Sequence, residues 1–276
     1  MTTSTHARST AARGPQSSWV PGGRLLSAEF LKLTRRRGLM IAAAVMAVGA
    51  VLAYLGVAEG LHLSDPGRYG PAGGLLGLRR AVYILEELAA AAATLVGAAA
   101  GAGDTSAGVF RSLVSTGRSR TALFLARIPA GLAVSVALTL AAYAVAAAAS
   151  VAFAGRLPAP PGHLLLATGG WLAVNTALAF LLGLGLSALI GSRSTTIAVL
   201  LGLTLVVTPI AAQVSALPDV RQALPGIALA ELQPSALGGL GVPALTMTTT
   251  AIAVVLTAWA ALAVGAGLWR TLTCDT

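Results

Sequence analysis

Six apolar runs, each long enough to cross a bilayer as a helix, take up most of this chain. They lie at about Leu39–Ala58, Ala81–Gly103, Ile128–Ala154, Leu164–Ile190, Thr195–Val214 and Leu245–Leu268. A helix rises about 1.5 Å per residue, so about 20 apolar residues cross a hydrocarbon layer of about 30 Å. Backbone amides in lipid find no water, and such a run satisfies them only by closing its own helical hydrogen bonds. The runs therefore predict an all-α integral membrane protein, a bundle of six transmembrane helices. The second run is the least apolar, because Glu86 and Glu87 interrupt its outer third.

Charge supports the same reading. Charged residues fill 10% of the 276 positions, against roughly 25% in a soluble domain, too few to cover a water-facing surface. The expected organisation is a disordered tail over 1–23, one membrane domain over 24–270 and a short tail over 271–276. Low-complexity Ser, Thr, Ala, Gly and Arg make up the first segment, and no short apolar core follows a basic start as in a signal peptide. Arginine outnumbers lysine 17 to 1, a bias that suggests a GC-rich bacterial genome. The single cysteine, Cys274, cannot form an intrachain disulfide and stands one place off a prenylation box.

The net charge of +9 invites a nucleic-acid reading, which its distribution opposes. Eleven Lys and Arg residues fall beside span ends on one side (Arg24 to Arg37, Arg111 to Arg127, Arg193 and Arg270) and five on the other (Arg68, Arg79, Arg80, Arg156 and Arg221). The positive-inside rule then puts both termini in the cytoplasm and the chain in the inner membrane. Basic side chains set topology and meet anionic lipid headgroups, and no nucleic-acid partner is expected.

Between the runs the sequence changes character. Over Arg24–Arg37, Leu26, Phe30 and Leu33 share one helical stripe, while Glu29, Lys32, Arg35 and Arg36 share another. That predicts an interfacial helix on the inner leaflet, with Arg35 and Arg36 on lipid phosphates. A helical stop-anchor that only orients the first span fits equally. His62–Gly77, with Pro66 and Pro71, and Arg156–Gly162 read as external loops, and Gly191–Ser194 as an internal turn. Ser215–Ala244 is too polar and proline-rich to span, yet Ala223–Leu232 is apolar enough for a re-entrant hairpin, with a surface loop as the alternative. Small residues at helical spacing, Gly97 with Gly101, Ala263 with Gly267, and Gly183 beside Gly185, would let helices approach closely. In a chain this rich in Ala and Gly such spacings also arise by chance.

No catalytic or metal constellation is expected. His6, His62 and His163 are scattered over the tail and two external turns and form no ligand pair. Gly97–Ser106 has glycines but lacks the lysine of a phosphate loop and follows no strand, so no nucleotide is held by this chain. The ionisable residues well within a run are Glu86 and Glu87. They read either as the polar lining of an outward-facing path or as a pair that shortens the span and binds Arg79 or Arg80.

The loop after the second run, GDTSAGVFRSLVSTGRSRTALFLAR (Gly103–Arg127), carries the remaining signal. Asp104 leaves the membrane, and Thr105 or Ser106 can cap a new helix. Val109, Phe110, Leu113 and Val114 then form an apolar ridge, with Arg111 beside it, before Ser115–Gly117 turns the chain. A short amphipathic helix tied to two spans suits docking into a partner's groove. A second interfacial helix is the alternative.

Here the chain resembles the membrane subunit of type-2 ATP-binding-cassette (ABC) transporters, above all the short bacterial permeases that work with a separate ATPase. The likeness covers nearly all of Arg24–Arg270. It rests on AEFLKLTRRR before the first span, GDTSAGVFRSLVSTGRSR after the second, and LGLGLSALIGSRSTTIAVLLGL (Leu182–Leu203) across the fourth and fifth, together with Leu217-Pro218 to Leu224-Pro225. The resemblance implies that Gly103–Ser119 holds a coupling helix against an ABC-type ATP-binding protein, with Asp104 and Gly108 in the family's acid-x-x-x-Gly pattern. Thr116-Gly117-Arg118 departs from the family's usual proline-containing turn. It further implies a homo- or heterodimer of permeases, an export path at the dimer seam, no ATPase activity or cofactor of its own, and ATP bound by the partner. A non-transport scaffold or sensor using the same ridge, and an ion-coupled carrier, are the competing readings.

Overall fold

The computed structural model describes residues 22–106, 119–213, 221–238 and 247–273. Among these, six helices are long and apolar enough to cross a membrane: Arg37–Ser64, Gly74–Gly103, Arg120–Ala152, Gly162–Ile190, Arg193–Ala211 and Thr249–Thr273. No strand occurs among the described residues. The chain is an all-α bundle of the multi-pass membrane type.

The elements in chain order are α1 (Gly22–Arg35), then α2, which runs Arg37–Ala44, through a π turn at Val45–Gly49, and on over Ala50–Ser64. Next come α3 (Gly74–Ser106), α4 (Arg120–Leu125), α5 (Arg127–Ala152) and α6 (Gly162–Ile190). The fifth span, α7, runs Arg193–Gly202, through a π turn at Leu203–Val207, and on over Thr208–Gln213. A short helix α8 (Pro225–Leu232) precedes α9 (Thr249–Thr273).

Proline and capping residues explain where these elements break. Pro129 has no N–H to offer the Leu125 carbonyl, and the third span divides into α4 and α5 at Ala126. Pro209 likewise cannot donate to Leu205, and the π turn of α7 sits over the affected carbonyls; Thr208 Oγ1 donates to Leu203 O at 2.9 Å. Gly191, at φ +79°, ends α6 in the left-handed conformation that a side chain disfavours. Ser192 then caps α7 by accepting from the Thr195 amide at 3.4 Å, and Thr248 caps α9 by accepting from Ala251 at 3.2 Å.

Several expected limits move. Helix α1 begins at Gly22, two residues inside the segment read as a tail, and α9 continues to Thr273, so Thr271–Thr273 are helical. Helix α3 begins at Gly74 rather than Ala81, because Arg79 and Arg80 lie exposed on it and their long stems carry the charge out of the apolar zone. The last span starts at Thr249 instead of Leu245, where Thr248 supplies its cap.

The core is built on α3 and α6. In α3, 56% of the most apolar stretch is buried, against 11% in α7 and 17% in α9, so α3 is central and the last two spans are peripheral. The small-residue pattern is the reason α3 and α6 touch. A Cβ at Gly97 would land on the Phe180 carbonyl oxygen, one at Gly101 on the Leu184 oxygen, and one at Gly183 would come within 2.7 Å of the Thr94 oxygen. On the opposite side of α6, a Cβ at Gly185 would strike Ala263 O, and one at Gly267 would approach Gly185 O to 2.8 Å. These spacings are packing faces rather than accidents of composition. They bring backbone against backbone, where dispersion contacts hold helices that gain nothing from hydrophobic transfer in lipid.

Candidate functional site

The expected docking ridge lies outside the described residues: Gly108, Val109, Phe110, Arg111, Leu113 and Val114 all fall between Ser106 and Ser119. Asp104 is in the last turn of α3, and so are Thr105 and Ser106, one of which was expected to cap a new helix. The frame that carries the segment is well defined. Arg36 donates through Nη1 to Ala99 O at 3.1 Å, and its guanidinium lies against Gly103. Arg127, buried at the start of α5, donates through Nη1 to Gly101 O at 3.2 Å. Two cations from different elements thus reach carbonyls near the C-terminal end of α3, where the helix carries a partial negative charge. Ser119 caps α4 on the other flank, its Oγ accepting from the Ala122 amide at 3.2 Å. Arg120 extends toward the carbonyls of Thr271 and Leu272, at 3.5 Å each, at the end of α9.

Helix α1 sits at this same end. Leu33 is buried with Phe124 and Ala130, while Leu26 and Phe30 remain 39% and 47% exposed. The apolar stripe therefore divides, with one residue docked on the bundle and the others directed outward. Arg35 is exposed as expected, but Arg36 turns inward to α3 instead of standing on the outer face of the helix.

Toward the other end, Glu86 and Glu87 line a cavity of about 190 Å³ walled by α3, α6, α7 and α8. Because α3 starts at Gly74, the pair stands twelve and thirteen residues into the helix, about 18 Å along its axis, deeper than the sequence run implied. Neither carboxylate is in an ion pair with Arg79 or Arg80; among the described residues the ion pair found is Lys32–Glu29 at 3.6 Å. Arg79 instead donates to Ala236 O at 3.1 Å, and Arg80 lines a separate cavity of about 380 Å³ with Tyr54, Arg68 and Tyr69.

The polar partners in the Glu86 cavity were missed in the sequence. Asn175, the one asparagine in the chain, donates from α6 to the Glu86 carbonyl oxygen at 3.3 Å. Thr204 and Thr208, on the π turn and just after it, donate to Leu200 O and Leu203 O, each at 2.9 Å. Both signals were available: an amide in mid-span, and threonines beside Pro209 in an otherwise aliphatic stretch.

Helix α8 closes one wall. Trp171 Nε1 donates to Leu229 O at 2.9 Å and Trp259 Nε1 to Ala223 O, two residues before α8, at 2.8 Å, so tryptophans of α6 and α9 hold the short helix and the turn that enters it. Trp171 is nine residues into α6 and Trp259 ten into α9, so α8 is sunk about 13–15 Å below their ends. The segment Ala223–Leu232 is thus packed against α6 and α9. Gly226 allows it, since a Cβ there would come within 2.7 Å of Thr208 Cγ2.

Among the described residues no three His, Cys, Asp or Glu side chains gather into a metal-holding group. No protein-family model matches the chain, and no curated protein was found to be similar to it.

Proposed function

We propose that this chain is the permease subunit of a type-2 ABC transporter of the cytoplasmic membrane, with both termini cytoplasmic, working as a dimer beside a separate ATP-binding protein. The observation that carries the reading is the arginine clamp at the α3–α5 junction. Residues 107–118 stand in the chain between α3 and α4, and Arg36 and Arg127 tie the α1–α2 break and the start of α5 to the end of α3. A push on Val109, Phe110, Leu113 and Val114 would then reach α3, the most buried span, at an end that Arg36 and Arg127 hold. The amphipathic α1 at the same end and the sunken α8 at the other agree with the resemblance read from the sequence.

In this account ATP binding and hydrolysis happen in the partner, the ridge transmits the movement, and the spans convert it into an export path. Co-purification of the tagged chain from its native membrane tests it. The expected companion is a protein with Walker motifs at one copy per permease. Recovery of a partner without them would instead favour a scaffold or sensor, and loss of transport on collapse of the proton gradient with ATP maintained would favour an ion-coupled carrier.

A further inference from the structure

The walls of the Glu86 cavity are unusual in what they lack. Helix α6 carries no Asp, Glu, Lys or Arg along its whole length, and its one histidine, His163, stands at its start. The only cation on α7 is Arg193, its first residue, and α8 brings Glu231 but no base. Arg221, in the turn before α8, neither lines the cavity nor pairs with a carboxylate. Arg79 and Arg80, on the cavity's own helix α3, are engaged elsewhere or face another space. Among the described residues, therefore, none of these elements brings a positive group within ion-pair distance of Glu86 or Glu87.

The rest of the lining completes the chemistry. Thr204 and Thr208 have their hydroxyl protons on backbone carbonyls, so what they retain for a guest is acceptor oxygen. Leu178, Leu182, Leu200 and Leu229 supply an aliphatic body beyond the carboxylates. Glu87 is exposed and Glu86 half-buried, which leaves the acidic end open. An open apolar chamber with acceptors, acids and no base is complementary to one class of guest. It also repels anions, which would meet like charge without compensation.

The geometry points to a binding site for lipophilic organic cations, the charge on Glu86 and Glu87 and the apolar body against α6, α7 and α8. This names the substrate class for the permease reading and rests on that reading only for the word substrate, because binding itself requires no ATPase.

The test uses the purified full chain in lipid nanodiscs with tetraphenylphosphonium as probe and tetraphenylborate as its anion of the same shape. Saturable binding of the cation, and no saturable binding of the anion in a separate titration, is expected. Glu86→Gln with Glu87→Gln should weaken it at least about tenfold, as loss of an ion pair in a low-dielectric cavity requires. Ala91→Leu, which keeps both acids and fills the chamber, should weaken it as well, and Glu59→Gln should not. Equal binding of cation and anion, or unchanged cation affinity in a monodisperse double variant, would overturn the site. Either result leaves the ATPase co-purification untouched, so the two readings fail separately.

Discussion

Arg127 donates through Nη1 to the carbonyl oxygen of Gly101 at 3.2 Å, which joins the first residue of α5 to the last turns of α3. The contact spans the loop read as the docking segment and makes its two flanks one mechanical unit. Arg127→Ala should cost about 1.5–3 kcal/mol, the range for a hydrogen bond to a charged group. Thermal unfolding in detergent would show it as a lowered Tm, with Arg127→Lys recovering part of the loss. An unchanged Tm in Arg127→Ala would remove the clamp.

The glycine faces give a paired prediction. Gly185→Val places a branched side chain on the Ala263 backbone and should separate α6 from α9, at about 1–3 kcal/mol for overpacking alone. Gly170, on the same helix, meets nothing within 4 Å, so Gly170→Ala should be neutral or slightly stabilising. Size-exclusion profiles and Tm values of the two variants check this, and equal behaviour would contradict the packing.

Trp171→Phe removes the donor to Leu229 O and should loosen α8 by about 1 kcal/mol. Ala228 is fully buried, so in a Cys274→Ser background Ala228→Cys should react slowly with maleimide, and faster once Trp171→Phe is added. Rapid labelling without the tryptophan change would place α8 on the surface.

How far the fold was legible depends on the kind of signal. Apolar length located every span, since a lipid-facing backbone leaves no alternative to the helix. It placed ends poorly where a local device sets them: Arg79 and Arg80 inside α3, Pro129 between α4 and α5, Thr248 before α9. The small-residue spacings were visible as strings, but composition alone could not separate Gly97 and Gly101, which touch α6, from Gly170, which touches nothing. The cavity was half legible. Glu86 and Glu87 stood out as charges in an apolar run, whereas Asn175 and Thr204 become their neighbours only through the packing of three other helices. Arg36 was read as a lipid contact because its helical stripe pointed that way, and the break at Arg36 itself turned it inward.

The arginine asymmetry predicts a topology with both termini inside. In a Cys274→Ser background, Asp65→Cys should react with an impermeant maleimide added to intact cells, and Ser194→Cys only after the membrane is opened. The reverse pattern would invert the bundle and put the 107–118 segment out of reach of any ATPase.

The most direct measurement of the central claim is ATPase recovery on Phe110→Asp. A carboxylate driven into an apolar groove is strongly disfavoured, so the variant should insert and fold like the parent yet no longer bring down the ATP-binding partner. Undiminished recovery of that partner, with its hydrolysis still responsive to the permease, would contradict the account.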